Sequence, residues 1–84
     1  MTLTIADLDD IYNWIKSLPA WKVHKHLMGW DYTCNNELVQ KRDAVVRLFH
    51  TVYDKETKLI DDYLLMEKSH NIIKLIMDKC NEYN

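Results

Sequence analysis

FHTVYDKETKLIDDY, residues 49–63, carries an apolar pattern into a polar gap and out again. Before the gap, Leu38, Arg42, Val45, Phe49 and Val52 recur at alternating steps of four and three, the spacing of one helix face. After it, Leu59, Tyr63, Met66, His70, Ile73, Met77 and Cys80 repeat that spacing. A helix carried straight through Asp54-Lys55-Glu56-Thr57 would turn the apolar stripe by roughly 60–80° at ~100° per residue. The spacing therefore predicts a turn there, with helices over 36–54 and 57–82 folded into an antiparallel hairpin. A single bent helix is the alternative, and it lies in the long tail of globular helix lengths.

A turn near residue 56 puts Val52 opposite Leu59 or Ile60, Phe49 opposite Tyr63, and Val45 opposite Met66. Arg42 then arrives opposite His70, with Glu67 a turn away. Two readings of this polar layer stay open: an Arg42–Glu67 ion pair that fixes the register, or a guanidinium and an imidazole aimed at an anion. Beside the seam, Leu65, Ile72 and Ile76 form a second apolar row. One partner helix cannot cover both rows, so the second is expected to be buried against another copy of the chain.

The N-terminal part, residues 1–30, reads as two shorter helices. Thr4 is a good N-cap with Asp7 in the first turn, and Leu3 and Leu8 match a hydrophobic staple. Leu8, Ile11, Tyr12, Ile15 and Leu18 share a face, and Trp14 flanks it. The following stretch, PAWKVHKHLMGW, residues 19–30, holds the only proline and the only glycine. Pro19 suits a first helical turn and Gly29 the left-handed position past the end. Ala20, Val23, Leu27 and Met28 share a face, while Lys22, Lys25 and His26 point away. His24 and His26 lie about 200° apart on a helix, too far round to chelate one metal.

Composition agrees with an all-α single domain over residues 1–84. One glycine and one proline cannot supply the turns of a β-sandwich or barrel. Two cysteines, Cys34 and Cys80, are too few for a disulfide framework and lie in no metal-ligand spacing. No apolar run approaches the ~20 residues of a membrane span, and no positively flanked leader opens the chain. A reduced, cytoplasmic protein with no cofactor and no membrane partner is expected. A core this small often needs partner subunits, which again points to a homo-oligomer.

Catalysis is the weakest functional class. The sequence holds no nucleophile elbow, phosphate-binding glycine loop or metal motif. Duplex DNA binding is also disfavoured, because the cationic patch is small and the net charge is -2. Two binding readings remain, beside the plain one in which the tryptophans are core. Tyr12, Trp14, Trp21 and Trp30 would stack on flat bases while Lys22, Lys25 or Arg42 meet phosphates. Alternatively the same surface is a hot spot for a host protein that this chain inhibits by direct contact.

The order of a short helical region, a Gly29-Trp30 step and a long two-helix hairpin resembles the phage anti-CBASS cyclic-nucleotide sponges over residues 5–80. The resemblance implies a protein that assembles from dimers into hexamers and sequesters cyclic di- or oligonucleotides in the host cytoplasm without cleaving them. Tyr12-Asn13 is similar to that family's ligand-meeting Tyr-Asn pair, and Lys25 to its phosphate-contacting lysine. Lys68 is the nearest counterpart of a later arginine. Asp31 stands where the family usually carries arginine, and ETKLIDDY lacks its Arg-Trp pair. The expected ligand-binding set is therefore Tyr12, Asn13, Trp21, Lys22, Lys25, Arg42 and Lys68.

Overall fold

The structure, a computed structural model, describes residues 3–29 and 36–83. Trp30, Asp31 and Cys34, singled out above, lie outside these residues. The described residues form four helices: α1 (Ile5–Ser17), α2 (Ala20–Leu27), α3 (Glu37–Tyr53) and α4 (Ile60–Tyr83).

α1 starts as its sequence dictates. The Thr4 hydroxyl accepts from the Asp7 amide at 3.1 Å, and the Asp7 carboxylate accepts from the Thr4 amide at 2.9 Å. This reciprocal box satisfies two of the amides that a helix start leaves without partners. The Thr4 amide, and then the Thr4 hydroxyl, hold the Asp7 carboxyl below its ordinary pKa. Leu8, Ile11 and Ile15 are buried, with Tyr12, Trp14 and Leu18 packed beside them. Pro19 is the N-cap of α2, one position before the first helical residue.

Gly29 does not take the left-handed conformation expected of it. Its requirement is steric instead. A Cβ there would sit 2.8 Å from the Lys25 Cα and 2.9 Å from the Lys25 carbonyl oxygen. Met28, placed on the apolar face of α2 by its spacing, is 65% exposed.

The connection between α3 and α4 covers residues 54–59, so the single bent helix is excluded. α3 and α4 pack antiparallel: Lys55 meets Asp62, Phe49 comes within 6.4 Å of His70, and Arg42 lies beside Cys80. The register differs from the one the spacing suggested. Phe49 faces His70 rather than Tyr63, one heptad further along α4. The connection folds back on the start of α4 through Lys55 and Asp62 instead of crossing directly, which displaces every later pairing. Arg42 consequently bonds its neighbour Asp43 at 3.1 Å and makes no pair with Glu67.

α4 is the hub of the fold. It packs on α1, on α2 and on α3, whereas α1 and α3 hardly touch one another. α1 runs parallel to it, held by Lys68 to Asp9 at 2.6 Å and by Lys79, whose ammonium donates to the Lys16 and Leu18 carbonyls. A cation at the carboxyl end of α1 offsets the negative pole of that helix.

Three partners explain why the buried face of α4 is not the expected one. Asp62, Ser69, Ile72 and Ile76 are buried, whereas Leu59, Tyr63, His70 and Met77 of the expected row are exposed; from that row Cys80 is buried, and Met66 and Ile73 are half-buried. The face is turned by one residue, about 100°. Ile72 at 0% and Ile76 at 5% exposure belong to the core, so that row is not a surface for a second copy. Reading α4 against a single neighbour selected the largest side chains. Packing against three neighbours selects the row that all of them can reach.

Candidate functional site

The expected ligand residues fall in separate places on this scaffold. Tyr12 and Lys68, far apart in the chain, share a cleft of about 210 Å³ between α1 and α4. Leu8, Asp9 and Asn71 complete its lining. Helical spacing brings Leu8, Asp9 and Tyr12 to one side of α1, and Lys68 and Asn71 lie one turn apart on α4. The phenol is half-buried against the core, and the Lys68 ammonium sits 2.6 Å from the Asp9 carboxylate. An incoming anion would have to share or displace that carboxylate. Because the pair is open to water, the exchange costs little.

Trp21 and Lys25 meet on α2, the Lys25 ammonium lying 6.0 Å from the centre of the indole, within cation–π range. Half of Trp21 is exposed. Neither residue lines the Tyr12 cleft, so Tyr12 and the Trp21–Lys25 pair do not share a wall. Asn13 is exposed on α1 and lines none of the cavities described in this section.

Lys22 opens on a different groove, about 180 Å³, beside His26, Trp14 and Glu37. Through Trp14 and Glu37 this groove continues into a larger one of about 410 Å³, floored by Leu3 and Ile11 and edged by Asp7, Asp10 and Lys41. The furrow exists because α1 and α3 each pack on α4 and leave the space between them open. Three carboxylates against one ammonium make its larger end unfavourable for phosphate.

Arg42 stands at the rim of a third groove, about 310 Å³, floored by Leu27, Ile76 and Cys80 with Met28 and Met77 as its lips. Burial pushes the Cys80 thiol up in pKa, which keeps it protonated and poorly nucleophilic. His70 is exposed and in ring contact with Phe49, which itself stacks on Tyr53 at 5.9 Å.

Asp9 and Asn71 are the cleft residues that the sequence did not single out. Both sit on outward helix faces where a polar residue is unremarkable, and their proximity comes from the parallel packing of α1 on α4. No local spacing signals it.

In comparison with known proteins, no family model, no curated protein and no solved structure matches the chain.

Proposed function

We propose that this chain is a non-enzymatic binding protein that captures a cyclic nucleotide second messenger in the host cytoplasm and blocks CBASS-type antiviral signalling on behalf of a phage. One observation carries the reading. Tyr12 and Lys68, drawn from opposite ends of the chain by the resemblance to the sponges, line the same cleft together with the Asn71 amide. A tyrosine ring to stack on a base, an ammonium to meet phosphate and an amide to bond a base edge are the groups such a ligand requires. At about 210 Å³ the cleft is smaller than the roughly 300–1,000 Å³ of a whole-ligand site, so it takes one base or one phosphate. The remainder of the ligand lies on surrounding surface. Trp21 with Lys25 is the other pairing of an aromatic ring with a cation among the expected residues.

Calorimetric titration with cyclic di- and trinucleotides, beside native mass spectrometry, tests the reading. Losing one stacked base costs ~1–3 kcal/mol, so Tyr12→Ala weakens the best-binding nucleotide by roughly tenfold to a hundredfold. Lys68→Ala weakens it and flattens its salt dependence. Absence of binding to every cyclic nucleotide overturns the proposal.

A second reading has an observation of its own. Tyr53, Leu59, Ile60 and Tyr63 are all more than half exposed at the end of the hairpin. Such a patch suits inhibition of a host protein by direct contact.

A further inference from the structure

We infer, resting on the nucleotide reading above, that the cleft between α1 and α4 takes a guanine base by its Watson–Crick edge and that Asp9 selects it. The two walls of the cleft differ in hydrogen-bonding character. α4 supplies donors, the Lys68 ammonium and, one turn on, the Asn71 amide. α1 supplies an acceptor, the Asp9 carboxylate, with the Tyr12 ring beside it. Lys68 donates to Asp9 Oδ1 at 2.6 Å, which uses one of the three ammonium N–H groups and one carboxylate oxygen. Oδ2 and the other two N–H groups have no further partner among the described residues. The Asp9 side chain is 53% exposed and that of Lys68 29%, so a ligand can reach both from the solvent side.

Guanine is the base whose edges match that division. Its acceptors, N7 and O6, lie side by side, and its donors, N1–H and the N2 amino group, follow on the adjoining edge. With the ring stacked on Tyr12, O6 and N7 meet Lys68 and Asn71. N1–H and the N2 amino group then form a bidentate, charge-assisted pair with Asp9. Adenine alternates instead: N7 accepts, the N6 amino group donates and N1 accepts, so a donor falls against the donor wall and Asp9 receives at most one bond. Uracil sets an acceptor on each side of its one N–H, and a carboxylate repels both. Phosphate fits this cleft worst, because it must displace Asp9 from Lys68, whereas a neutral base enters with the ion pair intact. The ammonium N–H left over is available to the phosphate that follows the base.

Calorimetric titration of the full chain with cyclic di-GMP, cyclic di-IMP and cyclic di-AMP tests it. Hypoxanthine, the base of the second, keeps O6 and N1–H but lacks the N2 amino group, so it deletes half of the bidentate pair. Affinity is expected to fall in that order, by roughly tenfold to a hundredfold between the first and the last. Asp9→Asn is expected to weaken cyclic di-GMP by a similar factor and to leave cyclic di-AMP unchanged or tighter, since Lys68 is then released. Asp9 is exposed, so this variant is expected to keep the helical circular dichroism of the wild type. Binding without a guanine preference, or a preference that survives Asp9→Asn, overturns the inference while the nucleotide reading stands. So does an equal gain for all three ligands in Asp9→Asn, which would make Asp9 only a block on Lys68. Binding to no cyclic nucleotide at all defeats the nucleotide reading first, and the base assignment falls with it.

Discussion

Lys55 reaches across the hairpin connection to place its ammonium 2.7 Å from the Asp62 carboxylate, which also accepts from the Leu59 amide at 2.9 Å. One carboxylate therefore closes the turn and occupies an unpaired amide at the start of α4. Its side chain is only 10% exposed, whereas that of Lys55 is 42% exposed.

Acid is expected to open this end of the molecule first. The Lys55 hydrogen bond, and then the Leu59 amide, hold the Asp62 carboxyl below its ordinary pKa. A carboxyl whose folded pKa is depressed contributes stability that is present above its unfolded value, near ~3.9, and is lost as pH falls through the folded value. Asp62→Asn should flatten the acid limb of a plot of melting temperature against pH, while changing little in its shape above neutral pH. An acid limb identical to that of the wild type would show that other carboxyls set it.

Ser69 is the second test. It is fully buried in α4, and its hydroxyl has no hydrogen-bond partner among the described residues. Burying a hydroxyl without a partner costs ~1–3 kcal/mol by mutational measures. Ser69→Ala removes the polar atom and little volume, so it should raise stability by about 1 kcal/mol, or ~4–8 °C in melting temperature for a domain of this size. Urea titration measures it, and a loss of stability would mean that the hydroxyl has found a partner.

Ile72 separates core from surface. Both it and Ile76 lie in the core beneath α1, α2 and α3. Ile72→Ala should cost about 2–5 kcal/mol, a large fraction of what a small domain possesses. Ile72→Asp should unfold the chain rather than dissociate it. A folded, monomeric Ile72→Asp variant would return this row to the surface.

Much of the fold was legible from local chemistry. The Thr4–Asp7 box, the Leu8–Ile11–Ile15 face and the polar gap after Tyr53 each depend on residues within a turn or two of one another. Those signals survive in any tertiary context. The hairpin register did not, because it depends on how Lys55 folds back to Asp62 rather than on the periodicity of either helix. The buried face of α4 failed for a related reason. Ser69 and Asp62 look like surface residues, yet they lie in the row that three neighbours share. The candidate cleft was half legible: Tyr12 and Lys68 could be named, while Asp9 and Asn71 required the packing of α1 on α4.

The central position of α4 also dictates when the chain can fold during synthesis. α1, α2 and α3 are made first, yet the apolar faces of all three are completed by a helix that does not yet exist. Until residues 60–83 have emerged from the ribosome, Leu8, Val23 and Val45 lack the helix that closes over them, and the nascent chain remains exposed to chaperones and proteases. A stop codon before α4 would therefore yield no smaller folded version of this protein, only a substrate for degradation.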